Sequence, residues 1–249
     1  MKLVKLIAIL ALSTVSLISN AETNTTQVNN AAITYSGVNR VEFNDAKNNK
    51  EFVGNGFLIE YQNKTYAVTV KHALFEIKTA ALTHVDIAEQ VAAWYIHPLK
   101  NKQEYVKLGR LINTDPNELI DIKILQKDWL LFEVADNQSN LQVLKLRDGD
   151  LIEGELVSAF GCTYATKANC RQDQYQFRFV ENDTHNLRLT MGEIKLDQLR
   201  GLSGSPVVDK NNQVVGIVSN VLKKKSGDGF DFAPANLSYL RSILQSQSR

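Results

Sequence analysis

From Ile33 onward the chain is written in short apolar or alternating runs, each cut off by Asn, Asp, Gly or Lys. A period of two buries one face of an extended strand, and runs this short leave little room for long amphipathic helices. The candidate strands are 41–43, 56–61, 65–70, 92–96, 104–111, 130–134, 155–161, 174–180, 187–193, 206–208 and 214–218. Asn63-Lys64 and Asn211-Asn212 read as turns between paired strands. Many short strands at regular spacing predict an all-β barrel or sandwich. Two segments read as helices: 83–91, and 234–245 on the spacing of Ala235, Leu237, Leu240, Ile243 and Leu244. The polar stretch near 135–144 is the expected linker between two halves.

The first residues follow a different rule. Lys2 and Lys5 precede an apolar run over Leu6–Ile18, and Ser19-Asn20-Ala21 puts small residues where a signal peptidase reads. This pattern predicts a secretory signal peptide over 1–21, cleaved after Ala21, and hence a secreted or periplasmic protein. The run is shorter than the ~20 residues that span a bilayer, and no cysteine lies at the cleavage site to carry a lipid. No membrane anchor is therefore expected. Residues 22 to about 30 read as a loose polar tail.

The formal net charge of +1 over 249 residues argues against nucleic acid as a partner. The two cysteines, Cys162 and Cys170, are predicted to close one short disulfide loop in an oxidising compartment. A zinc site would need a second Cys pair or paired histidines, and neither is present, so no metal and no cofactor are expected.

The chemistry concentrates in Gly201-Leu202-Ser203-Gly204-Ser205-Pro206, which leads into Val207-Val208 and then Val214–Val218. A serine between glycines, on a tight loop feeding a buried hairpin, suits an exposed nucleophile. Glycines at 201 and 204 permit backbone conformations closed to other residues. Such a nucleophile needs a histidine as base and a carboxylate to orient it. His72 follows the apolar run Tyr66–Val70, itself preceded by Gly54-Asn55-Gly56-Phe57-Leu58-Ile59. Asp128 directly precedes Trp129-Leu130-Leu131-Phe132. Asp121 is the competing carboxylate, before a weaker strand. His84, His97 and His185 lack the context of His72 and are expected at the surface.

These three blocks, in the order His72, Asp128, Ser203, resemble those of the trypsin-like (chymotrypsin-fold) serine proteases, and of their bacterial members most. The resemblance covers roughly residues 50 to 245. It implies two six-stranded antiparallel β-barrels with the active site between them and a C-terminal helix. The first barrel would run over about 30–138, and the second, with the helix, over about 139–249. It further implies that the Gly201 and Ser203 N–H groups form an oxyanion hole. By the same likeness Asp197 would lie at the base of the primary pocket, and Ser219, Asn220 and Val221 would pair with the substrate. A carboxylate at 197 would favour Lys or Arg before the cut bond. Asp197 could instead pair at the surface with Lys195 or Arg200, and Val221, where glycine is common, could narrow the pocket toward small side chains.

The chain departs from the family in three places. Val70-Lys71 precedes His72 where small residues are commoner, Leu202 stands where many animal members carry an aspartate, and no Ile-Val-Gly-Gly-like start is present. Activation by a buried N-terminus is therefore not expected. The implied activity is a serine endopeptidase acting on proteins or peptides. The alternative is a catalytically silent binding or scaffold protein on the same fold. An esterase of the α/β type would carry the order Ser, Asp, His, the reverse of what is seen.

Overall fold

A computed structural model describes residues 33–98, 101–168, 170 and 172–247. The expected signal peptide and polar tail lie outside these residues.

The chain begins with β1 (Gly37–Phe43), β2 (Asn55–Tyr61) and β3 (Lys64–Thr69), followed by the short helix α1 (Ala73–Ile77). Next come β4 (His84–Val85), β5 (Val91–His97), β6 (Val106–Leu111), β7 (Asp115–Leu119), β8 (Leu130–Asn137) and β9 (Val143–Lys145). A sheet in the order β1-β5-β6-β8-β3-β2 closes on itself where Gly37 and Val38 pair with Gly56 and Asn55. Strand β9 joins its β2 side in parallel, while β4 and β7 form a separate two-stranded sheet.

A second closed barrel has the order β10-β11-β12-β15-β14-β13. Its strands are β10 (Leu156–Gly161), β11 (Asp173–Asn182), β12 (Leu187–Thr190), β13 (Pro206–Val208), β14 (Val214–Lys223) and β15 (Phe230–Asn236). Helix α2 (Leu237–Ser246) follows, capped by the Asn236 side chain. The two antiparallel barrels and terminal helix are those the sequence led us to expect.

Each barrel has its own interior. The first is filled by Phe57, Ile59, Val68, Trp94, Ile96 and Phe132, among others, and extends to Leu240, Ile243 and Leu244 of α2. The second is filled by Val157, Phe177, Leu189, Val207 and Phe232. Burying one such side chain contributes about 1.5–3 kcal/mol, so α2 is held mainly by its apolar stripe. Trp129 Nε1–H also donates to the Asn236 carbonyl at 2.9 Å, tying the start of α2 to the first barrel.

Four local expectations are corrected. Residues 83–91 do not form a helix. Val85 and Ile87 are buried while Asp86 between them is exposed, a period of two, and His84–Val85 pairs with β7. The helix expected from Pro234 begins at Leu237, because 230–236 is strand β15, hidden in the sequence behind its proline and the glycine-rich turn before it. The β2–β3 turn is Gln62-Asn63, both with positive φ (49° and 59°), a two-residue turn whose twist matches the strands it joins. His97 is buried at 2 % exposure rather than at the surface. Its ring Nδ1 lies 2.7 Å from the Pro98 carbonyl, and burial pushes its pKa down.

Candidate active site

The end of β3 and the start of β8 meet at one buried carboxylate. Thr69 closes β3, and His72 then stands at the N-cap of α1. Asp121 starts a 3-10 turn over Ile122–Lys127 by accepting from the Lys123 N–H at 2.8 Å, which occupies it away from the histidine. That turn ends at Asp128, which is 1 % exposed. Asp128 Oδ1 accepts from the His72 backbone N–H at 2.8 Å, and Oδ2 lies 2.7 Å from His72 Nδ1. An ionised carboxylate can only accept, so a neutral ring donates through Nδ1 and keeps its free lone pair on Nε2.

Ser219 Oγ donates to the same Asp128 Oδ2. Its sequence role was expected to be substrate pairing, and the bond to Asp128 is an additional one. Pairing of β14 with β15 shifts register between Ile217 and Asn220, and a bulge of this kind re-aims the side chain it carries.

The nucleophile candidate sits on a loop that only glycine can complete. Gly204 has φ +84°, and a Cβ there would fall 1.9 Å from the Asn55 carbonyl oxygen and 2.8 Å from Thr69 Oγ1. The Ser203–Gly204 loop therefore packs directly on the strand that leads to His72. Gly201 has φ +92°, and a Cβ there would meet the Tyr164 nitrogen at 2.7 Å. Leu202 is fully buried in the second core, so the position beside Ser203 carries no carboxylate. Ser203 is half-buried and lines a cleft of ≈ 440 Å³ with Leu196, Asp197, Arg200, Ser219, Asn220, Val221 and Phe232. The four expected pocket residues thus share one cleft with Ser203. Among the described residues, neither Asp197 nor Arg200 forms an ion pair, and no acceptor engages the Gly201 or Ser203 N–H.

Cys162 and Cys170 are joined by a disulfide, with Cα atoms 5.7 Å apart. The bridge packs on Val38 and Phe52 of the first barrel side.

His72 is the titrating group of the site. Burial disfavours its charged form, but the Asp128 charge and hydrogen bond outweigh that, with Glu76 adding to them, and the pKa is raised above the ordinary 6.5. Among the described residues no group of His, Cys, Asp and Glu could hold a metal ion, and no helix is long and apolar enough to cross a membrane.

Sequence reasoning missed Asn55 and Lys71. Asn55, a polar residue inside an apolar strand, hydrogen-bonds across both barrels. Lys71 is wholly buried beside His72 and pairs with Glu118 at 2.7 Å. Its signal was present: a lysine where small residues are commoner.

Comparison with known protein families matches residues 54–217 to the trypsin-like peptidase domain. No curated protein sequence matches the chain. Among solved structures, a Glu endopeptidase in complex with MPD aligns over 90 % of this chain and 96 % of its own, with a TM-score of 0.56 at 15 % identity. That likeness establishes the fold.

Proposed function

Because the chain belongs to the trypsin-like peptidase domain family, we propose that it is a serine endopeptidase using Ser203, His72 and Asp128. The observation that carries the reading is the Asp128 carboxylate. It is buried, accepts the hydrogen bond that His72 Nδ1–H donates, and is held by Ser219, which lines the same cleft as Ser203. Ser203 Oγ attacks the peptide carbonyl while His72 Nε2 takes its proton and then passes it to the departing amine. Water repeats the sequence on the acyl-enzyme. Asp128 keeps the ring in the right tautomer and stabilises the imidazolium. The Gly201 and Ser203 N–H groups bind the developing oxyanion. The disulfide supports the reading of a secreted or periplasmic enzyme, since such bonds persist in oxidising compartments.

A fluorophosphonate probe tests this reading directly. We expect it to label Ser203, located by peptide mass mapping, and to label His72→Ala far more slowly. Folded wild-type protein that resists the probe would favour the silent scaffold.

The pH profile follows from the raised His72 pKa. A general base must be neutral, so the acid limb of kcat/KM lies above pH 6.5, and activity is lost as pH falls through it. Glu76→Gln removes a charge that favours the imidazolium, so this limb should move to lower pH. Profiles of the two proteins that superimpose, or a shift upward, would remove Glu76 from the electrostatics of the site.

For specificity, the Asp197 carboxylate in the cleft, without an ion pair among the described residues, favours Lys or Arg before the cut bond, and the Arg200 guanidinium opposes it. Both side chains are exposed, so each effect is about 1.4–5-fold, the range of a solvated ion pair of ~0.2–1 kcal/mol. The ratio of kcat/KM for matched Arg and Ala peptides should fall in Asp197→Ser and rise in Arg200→Ser. An unchanged ratio in Asp197→Ser would place the pocket base elsewhere.

A further inference from the structure

Asn55 is 1 % exposed, at the seam where β2 of the first barrel meets the nucleophile loop of the second. Its Nδ2 donates to the carbonyls of Gly201 at 2.9 Å and Cys162 at 3.0 Å, and its Oδ1 accepts from the Cys162 N–H at 2.9 Å. Both amide hydrogens are thereby used. Its backbone N–H donates to the Ser203 carbonyl at 2.7 Å. One residue of the first barrel thus fixes both ends of Gly201-Leu202-Ser203.

The carbonyl just before this stretch is held by the same wall. The Tyr164 N–H donates to the Arg200 carbonyl at 2.8 Å. In a trans peptide the C=O and N–H point to opposite sides, so tying the Arg200 carbonyl back to Tyr164 turns the Gly201 N–H the other way. The wall that carries both anchors, Cys162 to Tyr164, is stapled by the Cys162–Cys170 disulfide across a separation of eight residues. Gly201, at φ +92°, has no side chain to restrict its own peptides, so its orientation depends on these outside bonds.

We propose that Asn55 is a positioning residue for the oxyanion-binding N–H groups of Gly201 and Ser203, with the Cys162–Cys170 staple fixing the wall on which it acts. The inference rests on the nucleophile reading given under Proposed function. Losing one oxyanion donor outright costs about 10²–10³ in kcat. Asn55→Ala leaves both N–H groups in place but releases their orientation, so a fall of about 10–100-fold in kcat is expected, with KM changed by less than about threefold.

The deciding readout compares two inhibitors on one peptide scaffold. A peptide aldehyde forms a tetrahedral adduct whose oxygen needs the oriented N–H groups, whereas the matching peptide alcohol only occupies the cleft. In Asn55→Ala the aldehyde should weaken in parallel with kcat while the alcohol binds as in wild type. Equal weakening of both would mark a merely structural role and overturn the proposal. If Asn55→Ala does not fold, the Cys162→Ser/Cys170→Ser double variant carries the decision: it should show the same selective loss of aldehyde affinity, in smaller measure, and an unchanged aldehyde-to-alcohol ratio would overturn the proposal. Fluorophosphonate labelling of wild type separates the two levels. A wild type that is not labelled at Ser203 brings down the nucleophile reading and this one with it, whereas a labelled wild type with an unaffected Asn55→Ala overturns this one alone.

Discussion

Replacing Ser203 with alanine should lower kcat for peptide hydrolysis by about 10⁴–10⁶-fold while leaving the folded protein intact. The hydroxyl is the only group removed, and among the described residues it makes no hydrogen bond that the fold would miss. The backbone contacts of the loop survive the change: the Ser203 carbonyl still accepts from Asn55, and the Gly204 N–H still donates to the Val218 carbonyl at 2.9 Å. Residual hydrolysis should come only from the cleft and the oxyanion donors. Steady-state kinetics on a peptide substrate, with circular dichroism and a thermal melt as controls, decide the matter. Alanine protein that melts as wild type does and retains more than about a hundredth of its rate is incompatible with Ser203 as the nucleophile.

Glu118→Ala should be the most damaging single change to stability among the ion pairs. Lys71 Nζ is wholly inaccessible to water, and Glu118 at 2.7 Å is its charge partner, with the Tyr239 ring of α2 at 5.1 Å on another side. Removing one member of a buried pair leaves a charge without compensation, at a cost of about 3–5 kcal/mol. For a chain of this size that corresponds to a fall in Tm of roughly 6–20 °C. The double change Glu118→Leu with Lys71→Met removes both charges and should return Tm to within ~4 °C of wild type, since a well-packed apolar pair replaces an ion pair at little cost. Thermal melts of the three proteins test this. A single variant that melts within ~2 °C of wild type would mean that Glu118 does not neutralise Lys71 in solution. Lys71 directly precedes His72 in the chain, so activity measured well below Tm is the second reading to take.

Local sequence was a good guide where a local rule decides the outcome. A short continuous apolar run between turn residues fits a strand covered on both faces, and the strands around Phe57–Ile59, Leu130–Phe132 and Val214–Val218 declared themselves that way, with every residue of those runs buried. Glycines on either side of a serine suggested a loop that other residues cannot make, and Gly201 and Gly204 both have positive φ in the structure (92° and 84°). The order His72, Asp128, Ser203 then restricted the topology, because a base and its carboxylate must come from strands able to meet. The same logic failed where one pattern could serve two structures. Val85 and Ile87 suit a helix or a strand by composition, and pairing with β7 decided for the strand. Pro234 looked like a helix start, but β15 accommodates it where its pairing with β14 shifts register.

The sequence by itself determined the all-β class, the two halves, the disulfide and the residues from which a hydrolytic site could be built. The class, the two halves and the disulfide follow from periodicity, a polar break and short spacing, which act over a few residues, while the site residues were picked out by what the family resemblance implies. Only the tertiary structure decided which polar groups hold that site in place. Ser219 reaches Asp128 across 91 residues of chain, and Asn55 reaches Gly201 across 146. Lys71 meets Glu118 across 47 residues, and His97 turns inward because a folded barrel surrounds it. A buried polar group must find its partner or lose several kcal/mol, and the partner is chosen by whichever surfaces the closed barrels press together. No pattern within a strand carries that information, because it belongs to pairs of residues that become neighbours only when both barrels have formed.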